Sequence, residues 1–186
     1  MPKKDPIELF ISVDIEASGP IPGDFSLLSV GASVIDNETD TFYSEIAPIS
    51  MNAVDEALKV NGFSLEHLAK IGRNPKDAMF EFAEWITSVS GEKKPIFVGF
   101  NASFDWSFVN WYFHHYLGRN PFGIGALDIK AYYMGKMACD WGKTTSNSLP
   151  AALIMNPDRP HNALSDAVTQ GRLFKKIYQS HQTAQL

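Results

Sequence analysis

The sequence predicts an α/β protein: a mixed five-stranded sheet, three antiparallel strands followed by two parallel ones, with helices on both faces. Three observations carry this. Phe10 to Gly19 is apolar and β-branched, then ends in carboxylates and a Gly/Pro turn, as a buried strand does. Leu27–Ile35 and Thr41–Ile46 flank the polar run Asp36-Asn37-Glu38-Thr39, giving strand, turn and returning strand. Pro95–Phe100 and Gly125–Ile129 are short apolar runs alternating with helical periodicity, the pattern of parallel strands joined by crossovers.

Each element follows from local chemistry. Gly19 to Asp24 holds two Pro and two Gly, a loop. Val54–Val60 reads as a short helix broken by Asn61-Gly62, and Ser64 opens another. Ala78, Met79, Phe82, Trp85, Ile86 and Val89 form one face of a helix over Pro75–Val89, with Asn74 as N-cap and Gly91 as stop. Phe104–Leu117 is a strongly aromatic helix ended by Gly118. A helix follows the fifth strand through Met137, Asp140–Asn147 is a polar loop, and Ser148–Met155 reads as a short helix. Asn162 caps the last helix, which runs to about Gln179.

Composition narrows the function classes. The 186 residues, 45% hydrophobic and 20% charged, suit one domain over residues 1–186. Cys139 is the single cysteine, so no internal disulfide forms; with no apolar leader or membrane span in view, the expected location is cytoplasmic. Residues 1–90 carry 6 Lys/Arg against 15 Asp/Glu, and residues 91–186 carry 10 against 6. The net charge of −5 argues against a long non-specific duplex footprint, while the C-terminal half can meet an anionic partner. Lys130, Lys136, Lys143, Arg159 and Arg172 are its candidate phosphate contacts.

Asp14 and Glu16 are two residues apart, so on a strand both side chains leave one face. Two carboxylates in an apolar element repel each other and resist desolvation, and a divalent cation is the simplest compensation. Asp105 and Asp166 each lie near a helix start, where the helix dipole alone explains an acid. His161 is five residues before Asp166; on a continuous helix the two would be about 140° apart, so His161 is placed in the preceding loop.

Together, DIEASG, FNASFDWSF and HNALSDA resemble, in order and spacing, the DEDDh-type 3′→5′ exonucleases, the group of ribonuclease T, oligoribonuclease and polymerase proofreading subunits. The resemblance covers residues 8–180 and implies a ribonuclease H-like fold. It implies that Asp14, Glu16, Asp105 and Asp166 hold two Mg²⁺ or Mn²⁺ ions, that His161 is the general base, and that Asp128 is structural. The implied substrate is the 3′ end of single-stranded DNA or RNA, cut to nucleoside 5′-monophosphates; several relatives are dimers, so a homodimer fits. Substrate contacts are expected at Ala17 (through its N–H), Ser18 and Asn101, with base stacking on Phe25, Phe104 and Phe108. The sequence departs from the family pattern at Ala17, where a hydroxyl residue is common, at Phe100, where His is common, and at Ser29, where Glu is common.

The chemistry agrees with the resemblance. Phosphodiester hydrolysis needs charge neutralised on both attacking and leaving oxygens, which two metals supply. A neutral His near pH 7 accepts the remaining proton. The rival readings are another nuclease branch of the same fold, and a catalytically decayed nucleic-acid-binding module. The filled set of five positions argues against the second.

Overall fold

The computed structural model describes residues 7–153 and 161–180. One sheet has the strand order β3-β2-β1-β4-β5, formed by β1 (Glu8–Ala17), β2 (Leu27–Val34), β3 (Asn37–Glu45), β4 (Lys94–Gly99) and β5 (Ala126–Asp128). β1 is central, antiparallel to β2 and parallel to β4; β4 and β5 are also parallel. The predicted architecture is the one observed. The helices are α1 (Asp55–Asn61), α2 (Leu65–Ile71), α3 (Pro75–Ser90), α4 (Ser103–Leu117), α5 (Ile129–Met137) and α6 (Ala163–Gln179). None among the described residues is long and apolar enough to cross a membrane.

The two faces of β1 have different covers. Ile11, Val13 and Ile15 join a core built with α3 and α4. There Phe82 stacks on Phe113 of α4 at 5.4 Å and on Phe42 of β3 at 4.8 Å; Phe82 and Phe113 are fully buried, each burial worth roughly 1.5–3 kcal/mol. Phe10 joins the second cluster, with Val98, Ile129, Phe174 and Ile177, beneath α5 and α6. By the two-residue repeat, Asp14 and Glu16 leave β1 on this α6 face.

Small residues bring α6 close to the sheet. A Cβ on Gly31 of β2 would lie 2.3 Å from the backbone of Ala163 and Leu164. One on Gly171 of α6 would lie 3.1 Å from Ser12 Cβ on β1. The start of α6, and with it Asp166, is therefore held directly against β2. Asn162 caps the helix as expected, its Oδ1 accepting from Ser165 N at 3.1 Å.

Local differences have physical causes. The β2–β3 turn is Ile35-Asp36 alone, and Asn37 to Thr39 already belong to β3. β3 is an exposed edge strand, so its polar composition imitates a turn. In place of a polar loop and a helix, residues 141–144, 146–148 and 151–153 form 3₁₀ turns; Ile154 and Met155 lie outside the described residues.

Candidate active site

Strand β1 continues past the end of its pairing with β4. The parallel ladder begins with Lys94 N donating to Ile7 O and runs to the pair Ser12↔Val98. On that register the next two bonds would join Phe100 N to Val13 O and Ile15 N to Phe100 O. Neither forms. The strands part, and side chains enter the gap: Gln170 Oε1 accepts from Phe100 N at 2.6 Å, its Nε2 donates to Val13 O at 2.9 Å, and Asp105 Oδ1 accepts from Ile15 N at 3.1 Å. A ligand site at parting strand ends is the expected place in such a sheet.

Asp14, Glu16 and Asp166 meet beside this gap, with carboxylate oxygens within 4.8 Å of one another. Asp105 is buried behind them, too firmly enclosed to be an ordinary helix-start acid, and its charge bears on Asp14. Burial raises the Asp14 carboxyl well above its ordinary range, and Asp105, Asp166 and Glu16 push it further. Burial and then Asp166 lift Glu16 to about 7, opposed by a hydrogen bond from Asn61. Burial lifts Asp105 to about 7 against the pull of the Ile15 N–H. Asp166 is raised by burial, opposed by the backbone N–H of His161, the His161 charge and the N–H of Asn162.

Such a set favours a divalent cation. The donors are all oxygen, the chemistry Mg²⁺ and Mn²⁺ prefer. The ion pairs among the described residues, Arg73–Glu81, Arg172–Glu38 and Lys175–Asp36, all lie elsewhere. The fold thus holds mutually repelling acids together, which a bound cation would relieve.

His161 is exposed, at φ 60°, immediately before the Asn162 cap and beside Asp166. Asp128 is structural as expected: Oδ2 accepts from Ala102 N at 2.6 Å and Oδ1 from Ala131 N at 2.7 Å, tying the turn before α4 to the start of α5. Asn101 sits exposed in that turn at φ 65°, with Lys130 Nζ at 3.5 Å from its Oδ1. Lys130 also lies 4.3 Å from the Trp141 ring. Of the other proposed phosphate contacts, Arg172 bonds Glu38, Lys136 donates to the Ile177 carbonyl, and Arg159 lies outside the described residues.

Several expected substrate contacts are corrected. Ser18 is fully buried; its Oγ accepts from Ser26 N at 2.9 Å and donates to Asn52 O at 2.8 Å, so it braces the loop and cannot reach a nucleotide. Phe108 is fully buried in the α4 core and offers no face for stacking. Phe104, 37% exposed and 5.4 Å from Phe108, does offer one. Phe25 is packed down on Gly19, where a Cβ would lie 2.3 Å from the ring, rather than standing free as a wedge. The Ala17 methyl is buried, and the β1–β2 register shifts at Glu16/Ala17.

Two residues escaped the sequence reading. Asn61 Nδ2 donates to Ala17 O at 3.2 Å and its Oδ1 accepts from Phe63 N at 3.1 Å, fixing the end of α1 to the end of β1 beside Glu16. Asn61-Gly62 reads in sequence only as a helix stop. Gln170 left one signal: it lies one turn after Asp166 on the face of α6 that is otherwise Ala163, Ala167, Gly171 and Phe174, a polar residue on a buried stripe.

Comparison with known proteins gives the same assignment. The RNase_T exonuclease family model matches residues 11–174. The 3′-5′ DNA exonuclease Cap18 of Escherichia coli is 50% identical over 173 residues, covering 91% of each chain. The nuclease domain of 3′hExo, a DEDDh family member solved with rAMP, superposes with a TM-score of 0.75 at 16% identity, over 93% of this chain and 92% of that one. Escherichia coli exonuclease I, solved with a dT13 oligonucleotide, gives 0.68 at 14% identity over 96% of this chain. The chain spans 42% of that enzyme and 64% of a longer 3′-exonuclease solved on a histone mRNA stem-loop. The neighbours thus include proteins that bind a nucleotide or a single-stranded oligonucleotide, and exonuclease I has also been solved with zinc. With four acids and a histidine in the DEDDh order and a family match across most of its length, the chain belongs to the RNase_T exonuclease family, as a hydrolase of the 3′→5′ exonuclease class.

Proposed function

We propose that this chain, as a single exonuclease domain, trims single-stranded DNA from its 3′ end and releases nucleoside 5′-monophosphates. The observation that carries the mechanism is the convergence of Asp14, Glu16 and Asp166 at the parted strands, with Asp105 behind them. The DNA preference rests on the half-identical relative, itself a DNA exonuclease.

The four acids would hold two Mg²⁺ or Mn²⁺ ions, which supply a more acidic water and neutralise charge on the attacking and leaving oxygens. The protein's own residues do the rest. Asp105 keeps one oxygen on Ile15 N, which orients its carboxylate toward the other acids. The His161 imidazole takes the proton from the attacking water, and its exposed loop position lets it return that proton to solvent. Phe104 stacks an unpaired terminal base, the Ala17 N–H meets the terminal 3′-OH, and Lys130 holds a phosphate beside Asn101.

Matched DNA and RNA oligonucleotides, incubated with Mg²⁺, Mn²⁺ or EDTA, test the substrate class. DNA is expected to be trimmed faster than RNA, and EDTA to abolish release. RNA trimmed as fast as DNA contradicts the DNA preference, and release that persists in EDTA contradicts the metal dependence.

A further inference from the structure

We propose that Gln170 is a positioning residue for the divalent-cation site: its carboxamide, wedged between β1 and the end of β4, sets the spacing of the four acids. This inference rests on the metal-dependent exonuclease reading and deepens it.

The acids come from three segments: β1 carries Asp14 and Glu16, the turn and helix after β4 carry Asp105, and α6 carries Asp166. Gln170 touches the first two and belongs to the third. Its Nε2 donates to the carbonyl of Val13, the residue before Asp14. Its Oε1 accepts from Phe100, the residue after β4 ends. It stands one helical turn from Asp166.

The amide also replaces a specific ladder bond. With Lys94 N on Ile7 O fixing the register, Phe100 N and Val13 O are the pair that would bond directly if β4 ran on beside β1. A carboxamide has one acceptor and a donor in a single plane, so it can bridge a backbone N–H and C=O that have been pulled apart. The strands are therefore held open by the width of one amide. Both backbone groups stay satisfied, the Val13 carbonyl away from solvent and the Phe100 N–H in a partly buried position, by a side chain that is itself 7% exposed. In the opened space Asp105 reaches Ile15 N, the next orphaned donor. Without Gln170, closure of the ladder and loss of the Asp105 anchor would compete with the cation-binding arrangement. Partners that orient metal ligands from behind in this way typically contribute 10–100-fold to metal affinity.

The test is Mn²⁺ affinity by calorimetry, together with trimming rate against Mn²⁺ concentration. Gln170→Met keeps length and fills the slot without either hydrogen bond. Gln170→Asn stays polar but is one methylene shorter and reaches one partner at most, so it serves if the Met variant fails to fold. The expected result is Mn²⁺ binding weakened by about 10–100-fold, with turnover falling at low Mn²⁺ and returning toward that of the unaltered chain at saturating Mn²⁺. A general loss of folded protein would depress turnover at every Mn²⁺ concentration. Unchanged Mn²⁺ affinity in a folded variant, or a defect that added metal does not relieve, overturns the role of Gln170. Absence of metal-dependent trimming by the unaltered chain overturns the exonuclease reading instead.

Discussion

Asp14→Asn abolishes trimming while leaving the metal-free protein at least as stable as the unaltered chain. Asp14 sits between the other acids, and its carboxyl is the one pushed up by all three. The amide keeps the shape but offers neither the charge nor the second oxygen a cation needs. Since residues that only orient metal ligands contribute up to about 10²-fold, loss of a ligand itself is expected to cost at least that. Stability moves the other way because a repelling charge is removed.

The sign with pH follows from the raised carboxyls. With Glu16 and Asp105 near 7 in the folded chain, and Asp14 and Asp166 also raised, the metal-free fold retains protons that the unfolded chain has already released. Stability from these groups is fully present below about pH 4 and is lost as pH rises through about 7. The metal-free chain should therefore melt at higher temperature at pH 5 than at pH 8, and Asp14→Asn should narrow that difference. Thermal melts in EDTA at the two pH values check this. A variant with wild-type turnover removes Asp14 from the site.

His161→Ala lowers turnover by about 10²–10⁴-fold, the range of a general base, with Mn²⁺ affinity little changed. The backbone gives a control. His161 lies at φ 60°, where a non-glycine residue costs roughly 1–2 kcal/mol, so His161→Gly relieves the backbone while removing the same imidazole. If the imidazole moves the proton, Gly and Ala are equally poor. A His161→Gly variant that keeps full turnover shows that only the loop conformation matters.

The legible parts of this protein are those with a local signal. Asp14 and Glu16 share a face because strands repeat every two residues, and the fold keeps that relation. Asn74, Asn162, Gly91 and Gly118 mark helix ends through chemistry confined to a few residues, and all four do so in the structure. The illegible parts depend on partners far along the chain. Gln170 and Val13 are 157 residues apart, and no pattern around either predicts the bond. Ser18 looks like a substrate hydroxyl until Ser26 and Asn52 consume it. Phe104 and Phe108 are one turn apart on the same aromatic helix, yet only packing decides that one faces solvent and the other does not. β3 begins at Asn37 rather than Thr41 because an edge strand and a turn share a polar composition.

The parted strands are proposed to hold a metal-dependent machine acting on a free 3′ end. A 5′-labelled linear single strand, a circular strand of the same sequence and a 3′-blocked control, each with Mn²⁺, test it directly. The expected result is a ladder that shortens from the 3′ end of the linear strand, slowing where that end is paired by the unstacking cost of a few kcal/mol, while the circle and the blocked strand stay whole. Cutting of the circle at a comparable rate would show an endonuclease and contradict it.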